Sequence, residues 1–391
     1  MTVVESRRPS LSIGGPFHGL LRRLGLTGVD GLPAMKAGTV LAVAAWLLPA
    51  LLAVLQAILA GDSTALRYFS DPSSVARFFI CIFALVAVER RADIRLGLVL
   101  DNFREARLVT DRDLPAFGRA LDAADRHTSS TLAEAVMLTV ALVTTGFIFA
   151  YTVRNDPVAW EGSLVNGAAT FTWAGHAARW FSAPLTEFLA LRWIWRVVCW
   201  GLLMFRISRL PLQLTATHPD RMGGLSFVSL YPPVFNGLIF AVSAALAASF
   251  IRDLAVDNIS LQAVQALVAS WVVFAVVLVV GPLLVFVPGL SALKSDAIVR
   301  YGRLSGELQR AFERKWLTGE ARGEQMLESS DASVAADANA IVGSIWNLRV
   351  VPIELATVIS VALAAGIPML AVLATRMPVG ELLRTLLGAL L

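Results

Sequence analysis

The chain has 391 residues, 57% of them hydrophobic and 16% charged, with a net charge of +4. A soluble globular domain carries charge on about a quarter of its residues, so this balance excludes an ordinary water-soluble enzyme or binding module. The surplus of Lys and Arg is too small to point to nucleic acid. Several apolar runs exceed the roughly 20 residues a helix needs to cross a bilayer, which makes lipid the first partner.

Residues 1–37 form an N-terminal arm. It has no continuous apolar core of signal-peptide length before Lys36. Its stretch PFHGLLRRLGL is amphipathic and is expected to lie on a membrane surface. The rest, residues 38–391, reads as a single all-α transmembrane bundle of about seven spans. These fall near 38–59, 72–88, 132–153, 183–205, 228–251, 263–287 and 354–375. Each must be helical, because a lone segment in lipid satisfies its own backbone only as a helix. Pro49 should kink the first span. Asp71-Pro72 should cap the second, and Arg77 near its start can snorkel to the interface. The second span is short. The loop 89–131 carries Leu114, Phe117 and Leu121 at helical spacing. The loop 288–353 starts with a stripe of Leu290, Leu293, Ala297, Tyr301, Leu304 and Leu308. Both loops should extend their spans as helices, and the segment after Gly319 reads as flexible. Trp160, Phe171, Trp173, Trp180 and Phe181, between the third and fourth spans, read as headgroup anchors. Cys81 and Cys199 fall inside apolar spans and read as small core residues.

Charge sets the expected orientation. The arm and the even-numbered loops hold 24 Lys and Arg, against 7 in the odd-numbered loops and the tail. That places the N-terminus in the cytoplasm and the C-terminus outside.

The fourth span, APLTEFLALRWIWRVVCWGLLMF, carries Arg192 and Arg196 in its middle. Two such arginines cost about 5–7 kcal/mol of insertion free energy, while the apolar side chains around them return about 3–6. The helix therefore needs neighbours, and its polar face should look into the bundle. Arg192 and Arg196 lie about 40° apart on one face, with Glu187 about 140° away. Trp195 and Trp200 flank that face within reach of cation–π contact. Glu134 and Glu354 read as lying at the ends of their spans, so the arginine pair is expected to lack a carboxylate at its own depth. On that reading an anionic solute or a lipid phosphate is one candidate partner. A structural hydrogen-bond network and a partner subunit are the others.

After this span comes TATHPDRMGGLS. Pro219 ends a helix, and Gly223-Gly224 permits left-handed backbone. One reading is a tight turn. The other is a small polar site, with His218 as proton carrier or ligand, Asp220 as its partner, Arg221 adding charge, and the amides near Gly223 and Gly224 forming an anion nest. One His with one Asp is too few for a metal, and no cofactor motif is present.

The run RWIWRVVCWGLLMFRISRLPLQLTATHPDRMGGLSF resembles a group of uncharacterised bacterial multi-pass inner-membrane proteins, which share an RWxWR helix followed by an HPDRxGGL loop. The later SSDASVAADANAIVGSIWNLRVVPIE is similar to theirs as well. Together these stretches cover about a third of the chain. The resemblance implies a bacterial inner-membrane setting, and that the arginine helix and the loop belong together. It brings no activity with it.

Three functions fit these residues. The first is a transporter or channel-like protein with an anion or polar-solute site at the arginine pair. The second is a non-catalytic membrane scaffold or sensor that holds a cytoplasmic protein through its polar loops or assembles as a homo-oligomer. The third, a lipid-headgroup enzyme built on His218 and Asp220, lacks a nucleophile–base pair.

Overall fold

The computed structural model describes residues 14–28, 35–155, 160–256, 260–318 and 330–375. The segment expected to be flexible after Gly319 and the C-terminal tail lie outside the described residues, apart from the helix Asp331–Trp346. The protein is an all-α bundle. Among the described residues, seven helices are long and apolar enough to cross a membrane. In chain order they are Met35–Ala60, Pro72–Glu105, Leu114–Asn155, Trp173–Ser208, Ser226–Ile251, Gln262–Trp316 and Leu355–Ala374. The second and fourth are the most enclosed, each with 56% of its apolar window buried, against 22–39% for the others. Any charge on their inner faces must therefore find its partner inside the protein.

Local chemistry explains how the helices begin and bend. The Asp71 carboxylate accepts the Ser73 amide at 2.9 Å, with Pro72 in the first turn, as the Asp-Pro pair requires. The second helix does not stop at Val88. It passes a π turn at Ala76–Cys81 and continues to Glu105, which removes the shortness expected from the sequence. In the first helix, Pro49 leaves the Ala45 carbonyl without its usual amide, and the Ser182 hydroxyl donates to that carbonyl at 2.5 Å. A neighbouring helix thus restores what proline removes. Cys81 and Cys199 are buried and free, as expected of core residues.

The polar extensions are helical. Leu114–Thr128 buries Phe117 and Leu121 but leaves Leu114 exposed. The sixth helix bends through a 3-10 segment at Gly281–Phe286 and runs on to Trp316. Helix Asp331–Trp346 pairs with it, tied by Lys294 to the Trp346 and Leu348 carbonyls at 2.9 and 2.8 Å, and by Lys315 to Asp331 at 2.8 Å. The expected stripe holds at Leu290 and Ala297 and then turns outward. Leu304 is exposed, and Ser305 is buried in its place.

Between the third and fourth spans, two features depart from the expectations. Gly162–Val165 and Ala168–Phe171 form an antiparallel hairpin, turned by Asn166 and Gly167 at positive φ. Trp160 is 2% exposed rather than an interfacial anchor. Its ring packs edge-on against Tyr68, and its indole donates to Asp71 at 2.8 Å. Trp173, Trp180 and Phe181 do remain exposed.

Candidate functional site

Arg192 and Arg196 share the inward face of the fourth helix and are 5% and 3% exposed. They are not without carboxylates. Arg192 Nη1 lies 2.9 Å from Glu89 Oε1, and its Nε lies 3.1 Å from Glu134 Oε1. Arg196 Nη1 lies 2.9 Å from the same Glu89 oxygen. Glu89 and Glu134 are themselves 1% and 5% exposed. This corrects the expected lack of a counter-charge. Two cations from one helix meet one carboxylate from each of two others, and the four formal charges cancel. A buried guanidinium is tolerable only with such partners.

The N-terminal helix Gly15–Arg23 covers this network. Phe17, His18 and Leu21 are buried. The Phe17 amide donates to Glu134 Oε2 at 2.8 Å, so the carboxylate sits at the positive end of the helix. The Phe17 ring stacks with the Arg192 guanidinium at 4.9 Å. Contact this close demands glycine. At Gly15, with φ of +79°, a Cβ would lie 2.5 Å from Glu134 Oε1. His18 is 7% exposed, and its Nδ1 has no hydrogen-bond partner among the described residues. Burial pushes its pKa below the ordinary histidine value. Glu89 opposes that shift, whereas Arg192, Arg22 and Arg196 reinforce it.

The flanking tryptophans do other work than expected. Trp195 donates its indole N–H to the His127 carbonyl at 3.0 Å. Trp200 is fully buried against Tyr231, with centroids 4.3 Å apart. Among the described residues, the ring partners of the arginines are Phe17 for Arg192 and Trp193 for Arg196, the latter at 4.7 Å. One point of the network is incomplete. Among the described residues, neither Nη1 nor Nη2 of Arg196 has a well-aligned hydrogen-bond acceptor, although Nη1 is in ion-pair range of Glu89.

The His218–Gly224 loop folds around Asp220. Its Oδ1 accepts the Met222 and Gly224 amides at 2.8 and 3.1 Å, and its Oδ2 accepts the Ser226 amide at 3.0 Å. His218 Nδ1 lies 2.8 Å from Asp220 Oδ1, so the expected contact across Pro219 is present. Burial disfavours the Asp220 carboxylate, but the three amides and His218 outweigh it and hold its pKa below the usual range. The amides expected to cradle an external anion are thus largely taken by the protein's own carboxylate. Arg221, at φ +56°, lends its carbonyl to the Arg349 amide at 2.7 Å. Gly223, at φ +67°, faces Leu290 so closely that a Cβ would lie 3.0 Å from Cδ2. These contacts pin the loop to the sixth helix and to the approach to the seventh. None of these contacts involves Arg192 or Arg196.

Glu89 is the site residue the sequence reading missed. Glu134 was noted but placed at a different depth from the arginines. Comparison of the chain with protein-family models, curated proteins and solved structures gave no match.

Proposed function

We propose that the protein is a transporter or channel-like protein of a bacterial inner membrane, in which Arg196 takes an anionic or polar group of the solute. One observation carries this reading. A guanidinium that is 3% exposed holds Nη1 only in an ion pair with Glu89 and keeps Nη2 without any acceptor among the described residues, and buried donors left unmade are costly. An oxygen from a passing solute would supply the acceptor. The neighbouring carboxylates keep the site neutral overall, which favours weak, reversible occupancy over tight capture of an anion. The 24-to-7 distribution of Lys and Arg supports a cytoplasmic N-terminus and an external C-terminus. The RWIWR and HPDRMGGL stretches support membership of the bacterial group they resemble.

The test is flux in proteoliposomes containing the full chain, with chloride, phosphate and acetate as probes. At least one probe should move well above the empty-vesicle rate, and Arg196→Gln should lower that rate at least tenfold while the protein stays folded. No flux for any probe, or an unchanged rate in Arg196→Gln, contradicts the reading.

A scaffold or sensor is the second reading, and the helical pair Val287–Trp316 with Asp331–Trp346 favours it. This pair extends well beyond the apolar part of the sixth span and offers a partner protein a polar surface. On this reading all three probes stay at the background rate.

A further inference from the structure

A groove of about 790 Å³ opens between the second helix, the start of the seventh, and the turns Ser226–Leu230 and Pro232–Phe235. Arg91 and Arg95 line it from one side, a helical turn apart and therefore side by side. Glu354 lines it as well, and Val88, Pro233 and Val234 supply apolar wall. All three charged residues are exposed, and none of their side chains makes a hydrogen bond or ion pair with another described residue. They therefore differ from Glu89, whose oxygen is bound between two arginines one helical face away.

The depth of the groove is set by the sequence. Val88 closes the apolar run of the second helix, and the charged run Glu89-Arg90-Arg91 follows it. Glu354 immediately precedes the apolar seventh helix. Each wall thus carries charge next to the start or end of an apolar run, the kind of boundary at which a bilayer changes from acyl chain to headgroup. Basic pockets between helices at this level suit lipid phosphates.

We propose that this groove binds an anionic glycerophospholipid, with its phosphate between Arg91 and Arg95 and an acyl chain against Val88 and Pro233. One phosphodiester charge brings the two arginines and Glu354 to neutrality. Glu354 accepts a hydroxyl or amine from the rest of the headgroup. The apolar wall argues for a lipid over free phosphate, which has no use for it.

The experiment counts ligands on the purified full chain by native mass spectrometry. Phosphatidylglycerol, a diacylglycerol with the same chains, and inorganic phosphate are titrated separately, and phosphate is also used as a competitor. The wild type should retain phosphatidylglycerol at least tenfold more strongly than diacylglycerol. Arg91→Gln with Arg95→Gln should erase that preference with an unchanged thermal midpoint, since both side chains are exposed and unbonded within the described protein. Arg91→Lys with Arg95→Lys should keep most of it, which separates charge from packing. Equal retention by the glutamine variant overturns the proposal. Displacement of the lipid by millimolar phosphate would make this a free-anion site and also overturns it.

Discussion

Glu89→Ala is expected to destabilise the folded protein by about 3–5 kcal/mol, the cost typical of removing one partner from a buried ion pair. One oxygen of Glu89 serves Arg192 and Arg196 at 2.9 Å each. Without it, two buried guanidiniums one helical turn apart repel each other, and Glu134 reaches only Arg192. Glu89→Gln should cost nearly as much, because it keeps the shape but loses the charge. Arg192→Leu should be worse than Arg196→Leu, since Arg192 joins both carboxylates. Both arginine variants would leave an under-neutralised carboxylate, so the relief of insertion cost that the sequence alone suggests is outweighed. Thermal unfolding in detergent measures these differences. A Glu89→Ala midpoint equal to wild type would show that the network contributes nothing.

Asp220→Ala is expected to cost about 3 kcal/mol and to loosen the loop around residues 215–226. Hydrogen bonds to a charged acceptor are each worth about 1.5–3 kcal/mol, and three amides converge on this carboxylate. Part of the loss is recovered by water, because the loop is not deeply buried. The pH dependence has a definite sign. The folded pKa lies below that of an unfolded aspartate, about 3.9, so the stabilisation is full above that value and disappears as pH falls through the folded pKa. Hydrogen exchange at Met222, Gly224 and Ser226, corrected for intrinsic rates, should show protection at pH 6 that begins to fall only once the pH drops below about 4. Asp220→Ala should show no protection at either pH. Equal protection in the variant would mean that backbone packing alone holds the loop.

The bundle was legible because span length and hydropathy are local properties of the chain. So were the Asp71-Pro72 cap and the shared face of Arg192 and Arg196, which follow from helical geometry. What was not legible is which helices adjoin. The charges Glu89, Arg90 and Arg91 mark the end of an apolar run, so Glu89 reads as outside the second span, although the helix continues and turns that residue inward. The fourth helix begins at Trp173 rather than Ala183, which moves both arginines toward its far end and level with Glu89 and Glu134. Helical periodicity predicts a face but not its depth. The hairpin at Asn166-Gly167 did have a local signal, a dipeptide suited to a tight β-turn. The tucked N-terminal helix had a weaker one, the Gly14-Gly15 pair that lets the chain pass against Ser129 and Glu134.

The central claim is that the buried arginines and carboxylates form one mutually dependent network. A double-mutant cycle on Arg192→Met and Glu134→Gln measures that dependence directly, and the glutamine keeps an acceptor for the Phe17 amide. The account predicts that the double variant is more stable than the sum of the two single losses by about 1–3 kcal/mol. Losses that add to within about 0.5 kcal/mol would contradict it, because independent sites behave that way.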